Sequence, residues 1–156
     1  MANANAAAAV IDSTVSTVTK PRDQFPNFRQ ALDASPERKW QIEVQRQLLQ
    51  YAKMEQGWDS YDALPVTWDA GMFALSILND IMRPRTPIPQ VVPSSSGGVQ
   101  LEWHEKGIDL EIRVTGPYRC SLWFEDQTSR NGPPVSLDLT DDLSALLKPI
   151  ELLTSR

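Results

Sequence analysis

The sequence predicts an α+β fold: two N-terminal helices and one short C-terminal helix packed on one face of a three- to four-stranded antiparallel sheet. Three observations predict it. Two alternating runs, 99–105 and 108–114, meet at Lys106-Gly107 as strands meet at a tight turn. Two stretches, 40–52 and 72–82, repeat apolar residues every three or four positions. Two further alternating runs, Cys120–Glu125 and Val135–Leu139, precede a closing Leu-rich segment.

The hairpin is the best-specified element. Side chains alternate along a strand, so Val99, Leu101 and Trp103 share one face, and Ile108, Leu110, Ile112 and Val114 share one face of the next strand. A two-residue turn at Lys106-Gly107 brings both apolar sets to the same side, whereas a slip of one residue would turn one of them to water.

In chain order, residues 1–34 show no sustained periodicity and read as a flexible N-terminal tail, with Phe25 and Phe28 as aromatic anchors for a groove on the chain itself or on a partner. The single α+β domain is assigned to 35–156. Ser35 caps the first helix, Pro36 takes its tolerated first position and Glu37 complements its positive end. Trp40, Val44, Leu48, Tyr51 and Ala52 form its stripe, and Ile42 and Leu49 widen the buried face. The helix is expected to reach about Gln56 and stop at Gly57. Thr67 caps the second helix, which is apolar on more than one side through Met72, Phe73, Leu75, Ile77, Leu78, Ile81 and Met82 and ends at Arg83-Pro84. The Pro-rich link that follows runs extended, and only Val91-Val92 within it can pair at a sheet edge. Gly116-Pro117 and Asn131-Gly132-Pro133-Pro134 are turns. In the last helix Thr140 is the cap, Asp141 and Asp142 favour the positive end, and Leu143, Leu146 and Leu147 make the stripe before Pro149 interrupts it.

Composition narrows the function classes. The 156 residues suit one domain with one modest core. A formal charge of −5 opposes a nucleic-acid footprint, which needs clustered Lys and Arg, and fits a basic protein partner better. Cys120 is the only cysteine, so no intramolecular disulfide and no Cys cluster can form, as suits a reducing cytoplasm. No apolar run approaches the ~20 residues of a membrane span, and the Ala-rich N-terminus lacks the basic start of a secretory signal.

Two stretches could carry chemistry or binding. The loop Gly57-Trp58-Asp59-Ser60-Tyr61-Asp62-Ala63-Leu64-Pro65 is dense in aromatics and acids. Trp58, Asp59, Tyr61 and Asp62 suit partner binding, and equally a structural loop in which the two acids bond backbone N–H groups and the aromatics cover helix ends. The spacing of the acids is not that of a calcium loop. The second stretch is the polar side of the hairpin, where the turn sets His104 opposite Asp109 and Glu102 opposite Glu111. One imidazole with three carboxylates could serve acid–base or metal chemistry, and an exposed antiparallel face is polar in any case. Trp123 points away from Leu122 and Phe124, either under a helix or into an exposed aromatic patch that would mark a partner. No phosphate loop, dinucleotide fingerprint or nucleophile elbow occurs, and no cofactor is implied.

The Gly57–Pro65 motif, the link with Pro89 and Pro93, and Gly98-Val99-Gln100-Leu101-Glu102-Trp103-His104 with Asp109-Leu110-Glu111-Ile112 resemble a group of small, uncharacterised bacterial proteins over roughly residues 40–114. That group usually reads Gly-Trp-Asp-Gly-Tyr-x-Ala-x-Pro, so Ser60 departs from it where Gly would allow positive φ. The resemblance carries no reaction and implies antitoxin-like, immunity or phage-defence roles. The sequence is read as a non-enzymatic acidic interaction module. The alternatives are a small hydrolase or metal-binding enzyme using His104 with Glu102, Asp109 or Glu111, and a structural subunit of a larger assembly.

Overall fold

In the computed structural model, residues 39–129, 134–139 and 142–156 are described, within the unit Asp33–Arg156. The tail with Phe25 and Phe28, the helix start at Ser35-Pro36-Glu37, the turn at Asn131-Gly132-Pro133 and the Thr140-Asp141 cap lie outside them.

The alternating runs form a sheet in simple sequence order: β1 (Gln90–Pro93), β2 (Val99–Glu105), β3 (Ile108–Gly116), β4 (Arg119–Asp126) and β5 (Val135–Leu139), every neighbouring pair antiparallel. The sheet therefore has five strands where three or four were expected. The added strand is the Val91-Val92 segment, which hydrogen-bonds along β2 from Gln90↔Glu102 to Pro93↔Val99. Its proline neighbours confine it to the edge, because they cannot donate to a ladder.

The central hairpin has the register its pattern demands, with Leu101 opposite Ile112, Trp103 opposite Leu110 and His104 opposite Asp109. Lys106 and Gly107 both have positive φ, 56° and 72°, which is the signature of a type I′ turn whose twist matches that of the strands. A Cβ on Gly107 would also press into the Thr128 methyl at 2.7 Å.

Helices α1 (Lys39–Ala52), α2 (Trp68–Ile81) and α3 (Leu147–Ser155) pack on one face of the sheet. Trp40, Val44 and Leu48 from α1, Ala70, Ala74, Ile77, Leu78 and Ile81 from α2, and Ile150 and Leu153 from α3 join Val91, Leu101, Trp103, Leu110, Ile112 and Leu122 in one buried cluster. Thr67 caps α2 as expected, accepting from the Ala70 N–H at 3.3 Å, and Met82 leaves helical dihedrals just before Arg83-Pro84.

Three helical expectations change. First, α1 ends at Ala52, well before Gln56, because tight bonds from the Lys53 and Met54 N–H groups to Gln50 and Tyr51 wind up the last turn, while the Tyr51 carbonyl also accepts from Val66. Gly57, at φ 81°, opens the following loop instead of closing the helix. Second, Leu49 and Met72 are exposed, on the sides of α1 and α2 that face away from the sheet. Third, Pro149 does not interrupt α3. It lies in the first turn, where a backbone N–H has no helical partner to lose, and the helix continues to Ser155. Asp142 holds the approach to α3, accepting from the Ser144 N–H and hydroxyl at 2.8 and 2.9 Å, and these bonds lower its carboxyl pKa.

Polar anchors tie the layers together. The buried Trp103 indole donates to the Pro87 carbonyl at 2.8 Å, and the Tyr51 hydroxyl donates to the Val91 carbonyl at 3.0 Å, so both hold the Pro-rich link against the core. A directional chain runs from the Arg83 N–H to the Thr86 hydroxyl, on to the Thr154 hydroxyl at 2.7 Å, and from there to the Ile150 carbonyl. In the same last turn of α3 the Lys106 ammonium donates to the Leu153 carbonyl at 2.6 Å, and the Arg156 guanidinium just beyond it forks onto Asp126 at 3.0 and 2.8 Å. The guanidinium holds the Asp126 carboxyl well below the usual carboxylate range.

Candidate functional site: an aromatic loop over an apolar groove

The loop between α1 and α2 is locked from within. Asp59 Oδ1 accepts from the Tyr61 and Ala63 N–H groups at 2.9 and 3.2 Å, an Asx-type turn, and the Trp58 indole donates to the Leu64 carbonyl at 2.9 Å. The Leu64 N–H donates to Ser95 and the Thr67 N–H to Gly97, which seats the loop on the β1–β2 connection. Buried Ala63 and Val66 pin its second half. Asp59 and Trp58 therefore hold the loop in shape. Tyr61 does not cover a helix end: it is 82% exposed, and Asp62 beside it is exposed as well.

The helices joined by this loop wall a groove of 330 Å³ on the side of the molecule away from the sheet, lined among others by Leu48, Leu49, Ala52, Trp68, Met72 and Leu75. Trp68 is 63% exposed, Leu49 48% and Met72 46%, three large apolar side chains left to water in one place. The groove also takes in Val66 and Thr67 at the end of the aromatic loop, whose Tyr61 and Leu64 are exposed in their turn, as are the carboxylates of Asp62 and Asp69. Sequence reasoning missed this half of the site. The periodicity of 40–52 and 72–82 identifies residues that avoid water, and it assigns Leu49 and Met72 to the core along with the rest. Trp68 had a readable signal, a large aromatic directly after a helix cap, outside the stripe formed by Ala74, Ile77, Leu78 and Ile81.

The face of the sheet opposite the three described helices carries the second candidate. His104 lies between two carboxylates, Nδ1 at 2.9 Å from Asp109 and Nε2 at 3.3 Å from Glu102. Gln127 donates to the other Asp109 oxygen. Gln100 donates to Glu102 and Glu111 at 2.9 and 2.8 Å and accepts from the Arg113 guanidinium at 3.1 Å. The hydrogen bond to Asp109, opposed by partial desolvation and reinforced by Glu102, raises the His104 pKa. A carboxylate on each ring nitrogen stabilises the imidazolium, which has no free lone pair, relative to the neutral ring. The cluster works chemically as a charge clamp across β2 and β3. Among the described residues no group of three or more His, Cys, Asp and Glu side chains is arranged to hold a metal ion.

Trp123 lies on this face, opposite the three described helices, half-buried between its cross-strand partners Glu111 and Ser136. The structure thus places Trp123 with the polar hairpin residues, and Trp58, Asp59, Tyr61 and Asp62 elsewhere, on the β1–β2 end of the molecule. Burial raises the Cys120 thiol pKa, as for a small core residue. What fold and site define is a two-layer α+β module with an apolar groove between two helices. No protein-family model, curated protein or solved structure matches the chain.

Proposed function

We propose that the protein is a non-enzymatic interaction module whose loop and α1–α2 groove hold an apolar segment of a basic partner protein, the segment being an amphipathic helix with Lys or Arg at its margin. The observation that carries this reading is the clustering of exposed Leu49, Trp68 and Met72 in one groove. Exposed apolar side chains so grouped, with a polar rim, are the usual mark of a docking surface. Asp62 and Asp69 at the margin, and the overall charge of −5, supply the complement to a basic partner. The resemblance to small bacterial proteins makes antitoxin, immunity and phage-defence partners the first to try.

Photo-crosslinking from position 68 in the native host, with the captured species identified by mass spectrometry, tests this. The expected result is one dominant protein species attached through a basic apolar segment, lost with Met72→Glu and weakened by Asp62→Lys. If the same species survives Met72→Glu, or none forms, the groove is not the binding site.

A further inference from the structure

We infer that β5 is a self-pairing edge, through which two copies of the chain join their sheets by antiparallel strand addition. The argument starts from the contrast between the sheet's two edges. β1 is four residues long and is bracketed by Pro89 and contains Pro93, both unable to donate to a further strand. β5, Val-Ser-Leu-Asp-Leu, is likewise preceded by a proline, Pro134, but unlike β1 has none within the strand, nor a lysine or a bulge, and among the described residues no strand pairs with its outer side. An unguarded edge of this kind is a template for another strand.

The side chains of β5 are matched to one occupant, a second copy of themselves. Val135, Leu137 and Leu139 lie on the core side of the sheet, opposite Phe124, Leu122 and Cys120, yet only Leu139 is buried. Val135 is 40% exposed and Leu137 43%, so a strip of apolar surface continues past the helical layer to the edge. Two β5 strands related by a twofold axis at Leu137 would place Leu137 against its own copy and Val135 against Leu139 of the partner subunit. The same register sets Ser136 against Asp138 of the partner subunit, a hydroxyl beside a carboxylate. Sliding the axis to Asp138 would instead oppose two carboxylates, which is unfavourable. Because β1 is guarded, the contact closes as a dimer and does not propagate into a fibre. This inference is independent of the α1–α2 groove, which lies on different elements.

Cysteine cross-linking reads both the contact and its register, since opposed Cα atoms in an antiparallel pair are about 4.5–5.5 Å apart, within disulfide reach. Cys120 is buried, which leaves the introduced thiol as the accessible one. Under mild oxidation Leu137→Cys is expected to cross-link to itself, while Ser136→Cys and Asp138→Cys cross-link when mixed and not alone. In parallel, light scattering of the full chain should show mass rising with concentration from 17.5 kDa toward twice that value, and Leu137→Lys should hold it at the monomer with an unchanged circular-dichroism melt. A monomer at every concentration up to ~1 mM, with no cross-linking at position 137, would overturn the proposal. So would a dimer that persists in Leu137→Lys and cross-links at none of the three positions.

Discussion

Among the described residues, Ser60, Lys106 and Tyr118 hold positive φ without being glycine, and each does so for a different reason. Ser60, at φ 70°, is carried by the turn that Asp59 and Gly57 close around it. A left-handed dihedral costs a residue with a Cβ about 1–2 kcal/mol, partly offset by the greater chain entropy glycine must lose. Ser60→Gly should therefore raise unfolding stability by about 0.5–1 kcal/mol in a urea titration. Lys106 offsets its φ of 56° by donating to the last turn of α3. Lys106→Met keeps the backbone strain and loses that bond, so a loss of about 1 kcal/mol is expected. Tyr118 tilts against Phe73, ring centroids 5.4 Å apart, which anchors the β3–β4 turn to α2. His104 adds a pH dependence. Its folded pKa is raised above the ordinary value of 6.5, so its contribution is fully present below that value and is lost as the pH rises through the folded pKa. As the only histidine it gives one imidazole signal, and NMR titration should show a midpoint above 6.5 that drops in Asp109→Asn. An unshifted midpoint in that variant would remove Asp109 as the cause.

At the level of elements, the last turn of α3 is held from two directions, by Thr86 and by Lys106, and the Thr86 link offers the sharper test. Thr86 is buried and passes a hydrogen bond from the Arg83 N–H to Thr154. Thr154→Val would strand the Thr86 hydroxyl proton, at a cost of about 1–3 kcal/mol. The cost of Thr86→Val and Thr154→Val together should fall short of the sum of the single costs, because the two hydroxyls belong to one chain. Chemical denaturation of the three variants measures this. The strands were readable because their period of two leaves one register that buries Leu101, Trp103, Leu110 and Ile112 together, and that register carried His104 and Asp109 into contact. β1 was only partly readable, since its prolines argue against a strand that the edge of a sheet nevertheless accepts. Helix ends were poorly readable, because the end of α1 depends on Val66 reaching back to the Tyr51 carbonyl, a contact no local pattern encodes. Of the candidate site, the segment with Asp59 and Tyr61 was readable as a loop, but the groove was invisible. Periodicity reports which residues avoid water and not which helix face a sheet will cover, so Leu49 and Met72 read like Leu48 and Ile77.

At the scale of the whole molecule, the described residues share one core on one face of the sheet, and Leu49, Trp68 and Met72 lie outside it. Ile77 is 1% exposed within that core. Ile77→Ala removes buried methylenes and leaves a cavity, so a loss of about 2–5 kcal/mol is expected. Leu49 and Met72 are about half in water already, and Glu has nearly the helix propensity of Leu and Met, so Leu49→Glu and Met72→Glu should each stay within about 0.5 kcal/mol of the parent. Met72→Glu can therefore test the groove in crosslinking without confounding binding with unfolding. The prediction also works against the proposed function. A loss of several kcal/mol in Leu49→Glu or Met72→Glu, measured by thermal and urea denaturation, would mean that the groove is part of the core's own packing. Its exposed side chains would then need no partner to account for them. Near-neutral stability together with loss of the crosslinked species leaves docking as the reason that three large apolar side chains face water in one place.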